Sequence, residues 1–415
     1  MKIYAVGGAI RDKLLGIPVK DVDYVVVGST PEQLVKQGFK PVGKDFPVFL
    51  HPITSEEYAL ARTEYKTTAG YHGFQFRYAP DVTLNEDLAR RDLTINAMAR
   101  EINQDGEFIG PIIDPFGGQS DLRQKVFRHV SKAFIEDPVR ILRIARFAAR
   151  FPDFIVIEET ITLMHQMVIN GEVDSLVAER VWQEISLALM EIQPSRMLVV
   201  LRECGALVRI LPEIESLFGI PQLEYFHPEI DTGVHIMMAI DYAAKHKYSL
   251  AVRFAVLTHD IGKATTPSSN LIPYHIGHEM RGVDLLKSLC KRFRVPKKYQ
   301  NIALIVMVEH NNIHQVMKMQ AFSLVQLLER IDALRRPERF YEILQACESD
   351  ARGRLRFEHH PYAQADLLRI ALVAMRRVDT RKIAGLLRST PNKIREAIHK
   401  VMVSEVTLTI KKANR

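Results

Sequence analysis

The architecture of the chain is set by Tyr4-Ala-Val-Gly-Gly-Ala-Ile-Arg-Asp-Lys-Leu-Leu-Gly16, followed by Lys20-Asp-Val-Asp-Tyr-Val-Val-Val27. The pattern predicts a strand, a glycine turn, a short helix that ends at Gly16, and a second strand. Asp21 and Asp23 stand at the start of this second strand, where residues i and i+2 project from one face, so their carboxylates point together. Carboxylates about 6 to 7 Å apart at Cα can hold two Mg²⁺ ions, which activate an attacking hydroxyl and stabilise a leaving pyrophosphate.

Groups suited to phosphate accompany this carboxylate pair. The turn at Gly7 and Gly8 opens a helix and presents backbone N–H groups without a Cβ in the way, and Arg11 adds a planar cation one helical turn further on. An isolated Asp-x-Asp is more often a surface feature. The combination therefore indicates a site for a nucleoside triphosphate.

The composition is that of a soluble globular protein with several domains. The 415 residues are 47% apolar and 25% charged, and the longest uninterrupted apolar run, residues 302–308, is much shorter than a membrane span. Three widely spaced cysteines suggest neither a disulfide framework nor a zinc ribbon, and we expect a cytoplasmic protein without an export signal. The net charge of +7 favours a polyanionic partner, and its excess lies in residues 361–415, with 12 Lys and Arg against 4 Asp and Glu. Taken alone, the charge of that segment is explained equally well by a solvated face of a helix.

Two further motifs combine arginine with aspartate. Leu88-Ala-Arg-Arg-Asp-Leu-Thr-Ile-Asn-Ala-Met98 is predicted to form an amphipathic helix, and Glu136-Asp-Pro-Val-Arg-Ile-Leu-Arg-Ile-Ala-Arg146 is predicted to begin a helix at its proline. Taken alone, the first is a salt-bridged helix face and the second is a capped helix with a solvated arginine stripe.

Together, the three motifs resemble the signature of class II tRNA nucleotidyltransferases, the CCA-adding enzymes, and of the related bacterial poly(A) polymerases. Both belong to the polymerase-β-like nucleotidyltransferase superfamily. The resemblance implies catalysis by Asp21 and Asp23, which would hold Mg²⁺, while Asp92 would orient an arginine or help to position the sugar. The nucleotide-binding residues that it implies are Gly8, Arg11, Arg91, Asp137, Arg140 and Arg143.

The resemblance gives Asp137 and Arg140 the task of reading the base, and hydrogen-bond chemistry supports it. Cytosine and adenine present an exocyclic amino donor beside a ring-nitrogen acceptor, whereas guanine and uracil present a carbonyl beside a ring N–H. Asp137 would accept from the amino group and Arg140 would donate to the ring nitrogen; a wrong base would leave buried groups unpaired, at about 1–3 kcal/mol each. The pair predicts acceptance of CTP and ATP and rejection of GTP and UTP, without a nucleic acid template. Arg143 would lie toward the phosphates or the ribose.

Histidines concentrate after about residue 219. His259-Asp-Ile-Gly-Lys263 follows an apolar helical segment and resembles the His-Asp-x-Gly-Lys core of the HD phosphohydrolase superfamily. The metal ligands implied by this resemblance are His235, His259, Asp260 and Asp350, with His278 and His310 as additional candidates for metal or phosphate contact. The histidines interpreted as core or surface residues are His227, His246 and His314. Such a ligand set suits a transition metal, with Ni²⁺, Mn²⁺ and Zn²⁺ as candidates, and hydrolysis of a phosphoester.

Both resemblances together imply an α+β protein: a small mixed β-sheet nucleotidyltransferase head (1–140), an all-α nucleotide-specificity neck (141–215), an HD-type helical domain (216–352) and a basic helical tail (353–415). HD-containing CCA-adding enzymes add CCA to the 3′ end of tRNA from CTP and ATP, in maturation and repair. Their HD domain implies phosphatase, 2′-nucleotidase and 2′,3′-cyclic phosphodiesterase activity. We expect tRNA as the partner, no membrane, and a monomer or homodimer. The alternatives are a poly(A) polymerase, and a metal-dependent nucleotide phosphohydrolase with a nucleotide-sensing head.

Overall fold

The computed structural model describes residues 1–42, 48–66, 74–103, 105–267, 272–387 and 391–413. The chain divides into two compact units. One comprises Met1–Glu184 with Val199–Ile210, and the other comprises Ile185–Leu198 with Leu211–Arg415. In the ranges just given, no helix combines the length and the apolar character that crossing a membrane requires.

A mixed β-sheet forms the core of the first unit. Its strands, with two short pairs beside it, are β1 (Lys2–Val6), β2 (Asp23–Val27), β3 (Lys40–Val42), β4 (Val48–Leu50), β5 (Glu57–Leu60), β6 (Thr63–Lys66), β7 (Phe74–Arg77), β8 (Ala99–Ile102), β9 (Phe108–Ile113), β10 (Val126–Phe127) and β11 (Ile155–Val156). Within the described ranges, seven strands follow the order β3-β4-β5-β2-β1-β8-β9, and β6 pairs with β7 and β10 with β11. β1 runs antiparallel to β2 and β8, whereas β2 and β5 are parallel, so the expected small mixed sheet is confirmed.

Helices cover this sheet and continue beyond it. They are α1 (Gly8–Leu14), α2 (Pro31–Lys36), α3 (Leu84–Ala89), α4 (Gly118–Gln124), α5 (Val139–Arg150), α6 (Glu158–Ile169), α7 (Ala178–Leu189), α8 (Ser195–Glu203) and α9 (Leu207–Ile210). The opening stretch folds as predicted: Gly7 precedes α1 with φ 68° and ψ −123°, and Gly16 follows it with φ 69°. Only glycine adopts the first of these conformations without strain, which explains the turn.

The predicted helix from Leu88 to Met98 is wrong. Helix α3 ends at Ala89, the chain turns, and Leu93 then forms an antiparallel bridge with His129. Residues Thr94–Asn96 add a single 3₁₀ turn. The apolar side chains are buried, as the helical pattern requires. The backbone N–H and C=O groups, however, form hydrogen bonds with a distant segment and not along a helix.

The second unit is built from helices. They are α10 (Pro212–Glu215), α11 (Thr232–Lys245), α12 (Leu250–Thr258), α13 (His278–Arg292), α14 (Lys297–His314), α15 (Ala321–Arg330), α16 (Pro337–Arg352), α17 (Ala363–Arg376), α18 (Thr380–Leu386) and α19 (Pro391–Ala413). Helices α11, α12, α14 and α16 pack together, and α13 lies against α14. The last helices, α17 and α19, pack on each other and on α15, which confirms a helical tail. The α+β class with a helical second part is therefore confirmed, while the division into four segments stays a prediction.

Candidate functional sites

The glycine turn brings three parts of the first unit together at the end of β1. Asp23 is the direct partner of Val6 across the β1–β2 pair, and on the other side of β1 the Gly7 N–H donates to the Met98 carbonyl at 3.0 Å. A Cβ built on Gly7 would lie 3.0 Å from Arg91 Nη1. The strand that carries Asp23, the Gly7-Gly8 turn and the Arg91 guanidinium are therefore neighbours.

The two catalytic candidates are exposed carboxylates. β2 begins at Asp23, so Asp21 precedes this strand. The prediction that Asp21 belongs to the strand is therefore wrong. Among the described residues, neither side chain has a hydrogen-bond or ion-pair partner. A carboxylate can only accept hydrogen bonds, and it usually pairs with a nearby cation. Uncommitted carboxylate oxygens at the surface are the ligands that Mg²⁺ accepts while it keeps several waters. These residues fit the ion that the sequence predicts.

Arg11 lies in the interior of the unit. Its Nη1 donates to Asn96 Oδ1 at 2.6 Å and its Nε to Asp12 Oδ1 at 2.8 Å, and the rings of Phe147 and Phe151 lie 5.2 and 5.3 Å from its guanidinium carbon. Burial lowers the pKa of Arg11, and Asp12 offsets this only in part. The guanidinium thus ties α1 to the interior of the unit. Contact between Arg11 and a triphosphate stays a prediction.

Arg91 is held by a buried carboxylate. Asp87, with no exposed surface, accepts from Arg90 Nη2 at 2.7 Å, from Arg91 Nη2 at 3.2 Å and from the backbone N–H of Arg62 at 3.2 Å. Burial alone would raise the pKa of Asp87, but the two guanidinium groups outweigh it and hold the pKa below its usual value. Arg91 Nε is buried without a hydrogen-bond partner in the described part of the chain. Asp87 thus holds the Arg91 guanidinium beside the glycine turn.

Asp92 orients an arginine, as expected. Its carboxylate accepts from Arg143 Nε at 2.7 Å, from Asn96 Nδ2 at 3.0 Å and from the Leu93 backbone N–H at 2.8 Å. Burial would raise the pKa of Asp92, but Arg143 and these hydrogen bonds hold it well below its usual value. The Arg143 side chain is 37% exposed, so its outer part remains accessible to solvent.

Asp137 is paired within the protein. Its carboxylate accepts from Arg180 at 3.2 Å through Nη1 and at 2.7 Å through Nη2, a two-pronged pair that the sequence did not indicate. It also accepts from the Val139 backbone N–H at 3.1 Å, where α5 begins one residue after the predicted start. Oδ2 accepts only one of these bonds, so the carboxylate retains a lone pair for a base beside Arg180.

Arg140 is 7% exposed and lies on the first turn of α5. Its Nη1 donates to the Ala133 carbonyl at 2.8 Å and its Nη2 to the Arg90 carbonyl at 2.6 Å. These bonds to two backbone carbonyls fix the orientation of the guanidinium. Asp137 and Arg140 thus begin the same helix, and their contact with a base stays a prediction.

In the second unit, the structure brings all four predicted metal ligands together. His235 Nε2 lies 3.1 Å from Asp350 Oδ1, and His259 Nε2 lies 3.7 Å from Asp350 Oδ2 and 3.3 Å from Asp260 Oδ2. They come from α11, from the end of α12 and from α16. All four side chains are buried, and α12, whose residues 251–258 are all buried, carries His259 and Asp260 into the core.

The additional candidates His278 and His310 adjoin the same cluster. Their Nε2 atoms lie 3.1 and 3.7 Å from Asp260 Oδ1. Among the described residues, the buried atoms His259 Nε2 and Asp260 Oδ1 have no hydrogen-bond partner. Imidazole and carboxylate atoms that approach each other in this way fit a transition metal ion, which would replace the missing hydrogen bonds.

The interpretation of His314 as a core or surface residue is wrong. Its Nε2 lies 2.6 Å from Asp350 Oδ2, and its Nδ1 lies 2.9 Å from the Tyr362 hydroxyl. Burial would raise the pKa of Asp350, but His314, Arg354 and His259 outweigh it and hold the pKa well below its usual value. The sequence offered no signal for this contact, since 36 positions separate His314 from Asp350.

Glu229 is a second residue that the sequence did not indicate. It lies 3.1 Å from His227 Nδ1 and 2.9 Å from His235 Nδ1. Glu229 thus contacts the ring nitrogen of the predicted ligand His235 that does not face Asp350. His227 is consequently part of the cluster's surroundings and not an isolated core residue. His246 is structural as interpreted, because it stacks on Tyr242 and contacts its carbonyl at 2.9 Å.

A cavity of about 680 Å³ adjoins this cluster. Cationic and aromatic side chains line it, including Lys263, Arg354, Tyr274, Phe357 and Tyr362, and none of its lining residues in the described part of the chain is acidic. Positive charge favours an anionic ligand, and aromatic rings provide stacking surfaces for a base.

Three family models match the chain along its length. They are the poly A polymerase head domain at residues 3–128, the probable RNA- and SrmB-binding site of polymerase A at 153–218, and the HD domain at 232–336. The fold and the two sites thus define a protein that joins a nucleotidyltransferase head to an HD domain.

The fold is also that of solved CCA-adding enzymes. The Thermotoga maritima enzyme complexed with tRNA has a TM-score of 0.65 at 21% identity, covering 98% of this chain and 87% of that one. The Bacillus stearothermophilus enzyme in complex with CTP has a TM-score of 0.64 at 19% identity, covering 99% and 93%.

Curated relatives are much more similar in sequence. The multifunctional CCA protein of Burkholderia lata is 67% identical over 98% of both chains, and that of Paraburkholderia phytofirmans is 67% identical over 99% of this chain and 100% of the relative. The chain belongs to the family of multifunctional CCA proteins.

Proposed function

We propose that the first unit adds C, C and A to the 3′ end of tRNA, using CTP and ATP without a nucleic acid template. The observation that carries the proposal is the meeting of Asp23, the Gly7-Gly8 turn and Arg91 at the end of β1. The names of the curated relatives support it, as do the solved structures of similar fold that contain tRNA, ATP or CTP.

The residues divide the work between phosphates and base. Asp21 and Asp23 would hold Mg²⁺, which neutralises charge on the attacking 3′ hydroxyl and the leaving pyrophosphate. Arg91 beside the glycine turn, and the exposed part of Arg143, would bind the phosphates and ribose. Asp137, paired with Arg180, would also accept from the exocyclic amino group of the base.

Extension of tRNA that lacks CCA, with all four NTPs present, tests this function. We expect addition to stop after C, C and A, whereas long A tails would identify a poly(A) polymerase. Asp21→Ala and Asp23→Ala should each abolish addition, and the control Asp153→Ala, on an exposed carboxylate, should leave it unchanged. If both variants retain full addition, the roles given to Asp21 and Asp23 are refuted; if the unaltered protein adds no nucleotide, the alternative of a nucleotide-sensing head is favoured.

We further propose that the second unit is a metal-dependent phosphohydrolase that removes a terminal phosphate or opens a 2′,3′-cyclic phosphate. The cluster of His235, His259, Asp260 and Asp350 beside a cationic cavity supports this function. His259→Ala should abolish hydrolysis and leave nucleotide addition intact, and the control His246→Ala should change neither. Loss of both activities in His259→Ala with retained folding would contradict two separate sites.

A further inference from the structure

Gln222 lies at the cavity beside the cluster and is tied to the cluster by Lys263. Both residues line the cavity of about 680 Å³, and Gln222 is only 4% exposed. Lys263 Nζ donates to Gln222 Oε1 at 2.5 Å and to Asp260 Oδ2 at 2.6 Å. One ammonium group therefore separates the Gln222 amide from a predicted metal ligand.

The contact with Lys263 fixes the orientation of the Gln222 amide. An ammonium group donates hydrogen bonds and accepts none, so the amide atom that faces it is the oxygen and the other is the NH₂ group. Nε2 of that group is buried and has no hydrogen-bond partner in the described part of the chain. Because a buried donor without a partner is unfavourable, this NH₂ group is available to an acceptor atom of a ligand.

Aromatic rings are the second feature of the cavity. Phe357 and His360, both in its lining, stack with their ring centroids 4.8 Å apart and their planes 28° apart. Tyr274 and Phe226, also in the lining, are 63% and 51% exposed, although large aromatic residues usually bury most of their surface. Exposed ring faces are suited to stacking against a flat ligand such as a nucleobase.

Positive charge lies where the lining of the cavity meets the cluster. Lys263 contacts Asp260, and Arg354 Nη2 lies 3.1 Å from Asp350 Oδ1. Arg354 Nε is buried and has no hydrogen-bond partner among the described residues. A ligand with an anionic group at one end and a flat polar ring at the other matches this distribution, and a nucleotide is such a ligand.

We propose that the cavity is a nucleoside subsite, in which Gln222 selects substrates that carry a base. The phosphate of a nucleoside 2′- or 3′-phosphate would lie toward Lys263 and Arg354, and its base would stack on the aromatic lining. Gln222 Nε2 would donate to an acceptor atom of that base, and every nucleobase offers one. The inference rests on the proposed hydrolytic function and adds to it the residue that recognises the nucleoside.

Hydrolysis of 2′-CMP and of glycerol 2-phosphate, which has no base, tests the inference in the full-length chain with Mn²⁺. Gln222→Glu keeps an oxygen that accepts from Lys263 and replaces the donor, whereas Gln222→Met removes both groups. In both variants, the ratio of kcat/KM for 2′-CMP over glycerol 2-phosphate should fall about tenfold, the effect of losing one hydrogen bond at a buried site. The control Gln326→Met, at an exposed glutamine of α15, should leave the ratio unchanged.

A binding measurement that does not depend on hydrolysis accompanies this assay. Calorimetric titration of 2′-CMP into the metal-free protein should show about tenfold weaker binding in both Gln222 variants than in the unaltered protein. The first unit is the same in all of these proteins, so the difference in affinity reports on the cavity.

Hydrolysis of both esters with an unchanged ratio in Gln222→Glu would refute this inference alone. A decrease confined to Gln222→Met would also overturn it, because Gln222 would then act only through Lys263. If the unaltered protein hydrolyses neither ester, the proposed hydrolytic function is refuted. The inference then stands if the titration shows weaker binding in both variants, and it falls if the affinity is unchanged.

Discussion

Asp137→Asn should relax the discrimination between CTP and UTP without unfolding the head. The amide retains an oxygen that can accept from the Val139 N–H, so the start of α5 keeps its hydrogen bond. The variant loses the charge that pairs with Arg180. Because the two side chains are 32% and 21% exposed, this pair contributes no more than about 1 kcal/mol to the free energy of unfolding.

The effect on specificity follows from the donors and acceptors. A carboxylate only accepts, so it leaves the uracil carbonyl unpaired, whereas the amide of Asn also donates. Removing one such mismatch is worth about 1–3 kcal/mol, so the ratio of kcat/KM for CTP over UTP should fall by roughly 5- to 150-fold. Arg140 still opposes the uracil ring N–H, and some discrimination should remain.

Single-nucleotide extension of tRNA that lacks CCA, at varied CTP and UTP, measures this ratio. Asp153→Asn, at an exposed carboxylate paired with Lys125, is the matched control and should leave the ratio unchanged. If Asp137→Asn lowers kcat/KM equally for both nucleotides and the ratio stays constant, Asp137 acts through Arg180 on the structure of the site, and the base-reading argument is refuted.

Further predictions concern stability, pH and metals. Asp87→Asn should destabilise the chain at neutral pH by about 3 kcal/mol, the cost of breaking a buried ion pair. Because the pKa of Asp87 is lowered in the folded state, its contribution is complete above about pH 5 and is lost as the pH falls through the folded pKa, so the difference in urea unfolding between wild type and variant should shrink with acidification. Gly118→Ala should cost about 1–3 kcal/mol, because its Cβ would lie 2.3 Å from the Thr94 carbonyl oxygen, whereas Gly385→Ala meets nothing within 4 Å and should not destabilise; equal unfolding midpoints would contradict this. Chelation should stop both activities, with Mg²⁺ restoring addition and a transition ion restoring hydrolysis; if addition survives chelation, the Asp21 and Asp23 assignment is wrong.

Features that depend on near neighbours in the chain were predictable. The glycine turn, the following helix and the adjacent strand form as the residue pattern indicates, and an apolar helix carries His259 and Asp260 into the core. Glycine permits the positive φ that a turn requires, and a run of apolar residues favours burial, whatever lies far away in the chain.

Features that depend on distant partners were not predictable. After Ala89 the chain pairs with the segment at His129 in place of continuing a helix, since tertiary contacts outweigh a weak local preference. For the same reason, the pattern did not reveal Arg180 opposite Asp137 or His314 on Asp350.

The sequence by itself determined the class of both units and the chemical groups that each can offer. Only the tertiary structure decided which of these groups are already paired and which, among the described residues, are buried without a hydrogen-bond partner, as His259 Nε2 and Asp260 Oδ1 are. The physical reason is that residue type fixes the number of donors and acceptors, whereas their satisfaction depends on the packing of helices far apart in the chain.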